Sequence, residues 1–301
     1  MLMNVNRTPR IGLHLNDAMT SALSKSVETI GRPDFFEAIF DLLGAACAVD
    51  SGGVDFIFRH RQPRRVLHRF DPAERNVPAD RYLDGPYVLD PNYQLFLSGA
   101  GSGVYRLRDT APDDFFESEY FKAFYSQTGV SDEIDLLWRI DEDVAVIYFL
   151  ERSTRSPGFE PADIAALQIV LPYVIAASAR HHDLTKRSSA LDVDTLMHRK
   201  VQSTIDNFGS SLLTKREREV LFYMLSGYSS ALTSERLNTA EGTIKIHRKN
   251  IHRKLDVGSQ AELFSLFIKC IPFATPDAPG GADPLHAYQS KPAKPGDGPM
   301  F

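Results

Sequence analysis

The chain is 301 residues long, room for about two domains, and its 43% apolar and 24% charged residues are those of an ordinary globular protein. There is no signal peptide and no unbroken apolar run of 18 residues, so neither export nor a membrane span is expected, and the net charge of −5 does not by itself point to nucleic acid. The two cysteines, Cys47 and Cys270, lie in apolar surroundings far apart, and no metal-ligand spacing occurs; the reading is two buried thiols, no metal, no cofactor and a cytoplasmic protein.

Residues 1–20 are polar and unpatterned and read as a loose N-terminus. From 21 to 182 the pattern is that of one mixed domain. Pro33 opens an amphipathic helix over 34–49, with Phe35, Phe36, Ile39, Phe40, Leu42 and Leu43 on its apolar side. Gly52-Gly53 ends it, and 54–59 and 65–70 read as a hairpin around a basic tip. Asp90-Pro91 is a helix start, with the Asp as cap and the Pro in the first turn. A short strand is expected at 104–107 and a pair of aromatic helices across 112–125. Segments 131–140 and 144–152 are the clearest strands, an antiparallel pair turning at Asp141-Glu142-Asp143. A long apolar helix over 162–181 follows, with Pro172 expected to kink it. This order makes an α+β domain with a central antiparallel sheet. Residues 183–209 are polar and charged, a linker containing a helix near 193–208.

Residues 210–271 change character. Thr214-Lys-Arg-Glu217 reads as a capping box at the start of a helix carrying Val220, Leu221, Met224 and Leu225, stopped by Gly227. A short helix over 229–237 and a turn at Asn238-Thr239-Ala240 lead into Glu241–Leu255. On that helix Ile244, His247, Ile251 and Leu255 share one stripe, while Lys245, Arg248, Lys249, Arg253 and Lys254 set five cations against Glu241. Ser259-Gln-Ala-Glu262 reads as a second capping box, opening a fourth apolar helix. Ten Lys/Arg against six Asp/Glu give this stretch +4, which leaves −9 for the rest, so DNA contact belongs to this module alone. Residues 272–301, rich in Pro, Gly and Ala, are expected to be disordered.

The stretches LTKREREVLFYMLSGYSS and EGTIKIHRKNIHRKLDVGSQAEL resemble the C-terminal DNA-binding domain of the LuxR family of bacterial transcription regulators. The resemblance implies a four-helix, all-α helix-turn-helix domain that binds double-stranded DNA, usually as a homodimer, with RNA polymerase as a further contact. Carried onto this chain, it places Lys245, Ile246 and Lys249 at base edges and Thr243, Arg248, Arg253 and Lys254 on phosphates. Two departures stand out: Ser230-Ala231-Leu232-Thr233-Ser234 is unusual in the second helix, and Ala240 cannot cap the third as the family's Ser would. The 21–182 domain resembles GAF/PAS-like sensor domains, and through Asp90-Pro91 it is similar to autoinducer-binding domains. Trp138 is the only tryptophan, so that family's aromatic cluster is absent and an acyl-homoserine lactone is not the expected ligand.

A small-molecule effector would lie on one face of the sheet against aromatic side chains, for which Phe56, Phe58, Tyr87, Tyr93, Tyr105, Tyr125 and Trp138 are the candidates. Taken singly, each reads first as plain core packing, and Asp90 as a plain helix cap. Two alternatives stay open at this level. The first domain could serve only to dimerise or bind a protein partner. It could be a phosphorylated receiver with Asp50 as acceptor. An enzyme is not expected, since no phosphate loop, metal set or nucleophile context is present.

Overall fold

The computed structural model describes residues 16–70, 85–126, 128–185, 195–276 and 281–290; expectations falling on 1–15, 71–84, 186–194 and 291–301 lie outside the described residues. Two helices come first, α1 (Asp17–Glu28) and α2 (Phe35–Ala46). Asn16 caps α1 by accepting from the Met19 amide at 2.8 Å. Strands β1 (Ser51–Phe58) and β2 (Arg64–Arg69) form the expected hairpin. A 3-10 turn at Pro86–Leu89, α3 (Pro91–Leu97), β3 (Gly103–Arg106) and the single turn α4 (Leu107–Thr110) follow. Then come β4 (Val130–Arg139), β5 (Val144–Ser153) and α5 (Pro161–Thr185), which runs on with Pro172 inside it.

The five strands form one antiparallel sheet in the order β2-β1-β5-β4-β3, so the hairpin-connected β4 and β5 occupy the centre. A receiver needs a doubly wound parallel sheet; the antiparallel order sets that alternative aside. Asp50 stands just before β1 and accepts the Ser153 amide at 2.8 Å, tying the start of β1 to the end of β5. On one face of the sheet, Val54, Phe56, Phe58, Leu136, Trp138, Val146, Tyr148 and Leu150 pack against α1, α2 and α5. By length and composition α5 could span a bilayer, yet Leu167, Val170, Val174 and Ala177 are buried in this layer.

The opposite face is covered by irregular segments. The aromatic helix pair expected across 112–125 is instead a 3-10 turn at Phe115–Glu117 and a π-helical turn at Phe121–Tyr125. The wider turn, closed by the Ser126 amide on the Phe121 carbonyl at 2.9 Å, has a physical reason. It lets Tyr120 and Tyr125, five residues apart, both donate to the Asp90 carboxylate, at 3.2 and 3.0 Å.

Beyond the sheet, α6 (Thr195–Asn207) occupies part of the expected linker. The helical unit comprises α7 (Lys215–Leu225), α8 (Ser230–Arg236), α9 (Glu241–Leu255) and α10 (Gln260–Cys270). The tail departs from the disorder expected after residue 271. Ile271–Phe273 forms a 3-10 turn and Pro284–Gln289 forms α11, with Leu285 fully buried. The order comes from Asp283, which caps α11 at the Leu285 amide (2.9 Å) and also accepts from the amides of Gly209 and Ser211, each at 3.0 Å. Both cysteines are free and buried, and burial pushes each thiol up to about 12.

Candidate nucleic-acid interface

The capping box that starts α7 is complete: Thr214 accepts the Glu217 amide at 3.2 Å and Glu217 accepts the Thr214 amide at 2.8 Å. Ser229 caps α8 and Ser259 caps α10, but Glu262 reaches back to the Gly258 amide, 2.7 Å away, so the second box is only half formed. Asn238 takes the left-handed conformation (φ 47°) in the turn before α9, which Asn tolerates better than most residues. Ala240 leaves α9 without a side-chain cap. Leu232 is half-buried.

Helix α9 rests on its core through Ile244, Ile251 and Leu255, all buried. His247 joins that stripe, its Nδ1 buried and without a hydrogen-bond partner among the described residues. The opposite side exposes Thr243, Lys245, Ile246, Lys249 and Arg253. Ile246 stands 62% exposed, an apolar side chain offered to solvent between two lysines. A Cβ at Gly242 would meet nothing within 4 Å, so the fold itself does not require glycine there. Lys245 pairs with Glu241 one turn back at 2.7 Å, both ends solvated, and such a pair is easily exchanged for another anion.

Three of the predicted phosphate contacts have other partners; Arg253 donates to Asn250 of its own helix at 3.2 Å, on the exposed side. Lys254 donates to Glu217 at 2.7 Å, tying α9 to α7. Arg248 is half-buried and donates to the Tyr228 carbonyl at 3.2 Å; burial lowers its pKa, against the opposing charge of Asp114.

Asp114 belongs to a contact between the helical unit and the sheet domain that no local pattern announces. The Asp114 amide donates to the Gly227 carbonyl at 3.1 Å, and Asp113 accepts the Ser229 amide at 3.0 Å. Gly227 has φ 83°, and a Cβ there would lie 2.9 Å from the Phe115 Cα, so both backbone conformation and space require glycine. Burial raises the Asp113 carboxyl, but hydrogen bonds from Ser229 outweigh it and hold it below the usual range. Phe124 meets Phe264 edge-on at 6.4 Å nearby.

Helix α6 makes a second junction. His198 is buried, with Nδ1 2.9 Å from the Tyr87 hydroxyl. Burial, and then the charge of His60, pulls its pKa down to about 4. The folded state therefore prefers neutral His198: its contribution is complete above the unfolded value near 6.5 and is lost as pH falls toward 4. Protection of α6 amides, taken as exchange relative to the intrinsic rate at each pH, is expected to fall as pH drops across that window, and His198→Gln to remove the dependence; protection that is flat with pH in the parent chain would contradict it.

The seven aromatic effector candidates do not converge. Phe56, Phe58 and Trp138 point into the layer under α2 and α5, whereas Tyr87, Tyr93, Tyr105 and Tyr125 lie on the opposite side of the sheet. The sheet separates the two groups, so the seven cannot share one site. Tyr93 donates to the Phe58 carbonyl at 2.8 Å, and Tyr105 to the Gly101 carbonyl at 2.9 Å. Sequence reasoning missed the acids among them. Asp90 both caps α3, through the amides of Asn92 (2.8 Å) and Tyr93 (3.3 Å), and anchors the two tyrosines of the π turn. Asp55, Glu133, Asp135 and Glu151 are buried on the same face. Their signal was available: Glu133 and Asp135 alternate with apolar residues in a strand, where neither face should be acidic.

Comparison with known proteins bears on both halves. The sequence profile described as GerE, bacterial regulatory proteins, luxR family, matches residues 211–267. The chain is similar to a putative HTH-type transcriptional regulator in the exeN 3′ region of Aeromonas salmonicida, 30% identical over 183 residues covering 60% of this chain and 93% of that one. It is also similar to the response regulator protein TodT of Pseudomonas putida, 41% identical over 64 residues, 21% of this chain and 27% of that one. Among solved structures, the VqsR LBD domain from Pseudomonas aeruginosa is similar at 25% identity and a TM-score of 0.49, over 56% of this chain and 99% of that one.

Proposed function

Since the chain belongs to the luxR family of bacterial regulatory proteins, we propose that it is a cytoplasmic, homodimeric, sequence-specific transcription regulator whose hold on DNA is set by a small-molecule effector at the sheet domain. Lys245, Ile246 and Lys249 read base edges, and Thr243 and Arg253 hold phosphates. RNA polymerase is the expected partner at the promoter. One recognition helix covers only a few base pairs, so two copies bind half-sites about one helical turn apart.

The observation that carries the effector reading is the continuity of one short segment. Residues 113–125 grip Gly227 and Ser229 at one end and Asp90 at the other, through Tyr120 and Tyr125. Whatever disturbs Asp90 moves the clasp on the helical unit, and with it Arg248. An effector with unequal affinity for the clasped and released arrangements shifts their populations, which is all that control requires.

Selection from a random duplex pool by the full-length protein tests the function directly. An inverted repeat with half-sites about 10 base pairs apart is the expected product; a pool that shows no enrichment removes the proposal. Asp113→Ala tests the clasp. It is expected to raise affinity for the selected site by roughly three- to tenfold, since Arg248 is released, and to split thermal unfolding into two transitions. Unchanged affinity with one cooperative transition would show that the clasp does not restrain the helical unit.

A further inference from the structure

The sheet face opposite α5 carries more acid than its surroundings neutralise. Register places Glu151 opposite Glu133, Phe149 opposite Asp135, and Asp55 opposite Ile147, so four carboxylates project from this one face. Asp90 closes on them from the start of α3. All five are between 3% and 6% exposed.

Four of them have recorded partners. Arg65 clasps Asp55 with two hydrogen bonds of 2.9 and 2.7 Å. Ser51 donates to Glu151, and Asn92 to Glu133 at 3.3 Å. Asp90 has its two amides and two tyrosines. Asp135 is different: its Oδ1 is buried and has no hydrogen-bond partner among the described residues. A buried acceptor without a donor is costly, and folded proteins keep such groups for a reason.

Burial first, then the charges of Asp135, Glu151 and Asp90, raise Glu133 well above the usual carboxylate range. Burial, then Asp90, Glu151 and Asp55, do the same for Asp135. The face is waiting for positive charge. A metal ion is not the fit, because no three His, Cys, Asp or Glu side chains among the described residues converge as ligands. Tyr93, Tyr125 and Phe149 border the same face and suit an organic group. A cleft lined by Leu107, Phe121, Tyr125 and Glu133, with Arg108 paired to Asp132 at its rim, opens beside it.

We propose that the effector is an organic cation, a protonated amine on an apolar body, whose ammonium group donates to Asp135 and is flanked by Glu133 and Glu151. This rests on the effector reading above and narrows it to a chemical class. The cation supplies the donor that Asp135 lacks and neutralises part of the surrounding charge. The body lies on the aromatic side chains, where a cation also gains from the ring faces. Glu133 accepts from Tyr125 at 3.4 Å, so its ionisation reaches the segment that clasps the helical unit.

Calorimetric titration of the full-length protein tests this with phenethylamine and cadaverine, their neutral counterparts 2-phenylethanol and 1,5-pentanediol, and a neutral acyl-homoserine lactone. The expected result is that one of the amines binds at least tenfold tighter than its alcohol. Asp135→Asn, which keeps the shape and removes the charge, is expected to abolish that preference while leaving the alcohol unchanged. Glu133→Gln serves as the second variant should the first not fold. Equal or tighter binding of an alcohol or the lactone overturns the cationic class and leaves effector control standing. If no probe binds, the cationic class is overturned, and effector control is decided separately by Asp113→Ala.

Discussion

Glu217→Ala is expected to lower the unfolding midpoint of the parent chain, in which the sheet domain and the helical unit melt together, by roughly 4–12 °C. The carboxylate is buried, its side chain 4% exposed, and it has three donors: the Thr214 amide at 2.8 Å, the Thr214 hydroxyl at 2.9 Å and Lys254 at 2.7 Å. Losing the box costs about 1 kcal/mol, and leaving the buried amide and the Lys254 ammonium without their acceptor adds about 1–2 kcal/mol. Lys254 is 30% exposed, so water offsets part of its loss, which keeps the total near 2–3 kcal/mol. Burial would raise the Glu217 carboxyl, but Lys254 and Thr214 outweigh it and hold it below its ordinary value. A depressed carboxylate stabilises above its unfolded pKa near 4.5 and ceases to do so as pH falls through the folded value. The parent domain should therefore weaken below about pH 4.5 in a way that Glu217→Gln does not. Thermal unfolding followed by circular dichroism at pH 7 and pH 4 measures both, and a midpoint shift under about 3 °C for Glu217→Ala would show the box and the ion pair to be dispensable.

The helical unit was legible because its information is local. A capping box, a 3.6-residue apolar stripe and the stop at Gly227 all lie within one turn or two of the residues they organise. The central hairpin β4–β5 was legible for the same reason, since alternation and a three-residue turn are short-range signals. What stayed hidden is long-range. Asp113 and Ser229 are more than a hundred residues apart, and nothing around either marks it as a partner of the other. The π turn at Phe121–Tyr125 reads as an ordinary helix until Asp90 is placed between its tyrosines. Likewise α11 looks like tail until Asp283 is seen to hold Gly209 and Ser211.

The seven aromatic candidates fail as a set for a related reason. In a strand, Phe56 and Phe58 share a face by period two, and register puts Trp138 opposite Val146 and so on the face that α2 and α5 cover. Aromatic content cannot tell which face is closed by helices and which by irregular segments. Charge can: burying carboxylates against a packed helical layer would be prohibitive, so Glu133 and Asp135 mark the face covered by irregular segments.

Lys249→Ala is expected to weaken binding to the selected operator by about 1–3 kcal/mol, roughly five- to 150-fold, with binding to random duplex close to that of the parent. Lys249 is exposed in the middle of α9, one residue beyond the half-buried Arg248 and on the side that carries Lys245 and Ile246. Truncating it removes a base contact without touching the core. Arg253→Ala, at the exposed end of the helix, should instead weaken all duplexes alike and reduce the slope of log affinity against log salt by about 1. Lys254→Ala separates from both. Because Lys254 is engaged by Glu217, its loss destabilises the domain as well as removing a cation, so its DNA defect should grow with temperature while that of Arg253→Ala should not. Fluorescence anisotropy titrations at two temperatures and a series of salt concentrations, on operator and random duplex, resolve the three cases. Equal losses for Lys249→Ala on both duplexes would place that side chain on the phosphates and leave Lys245 and Ile246 as the residues that read sequence.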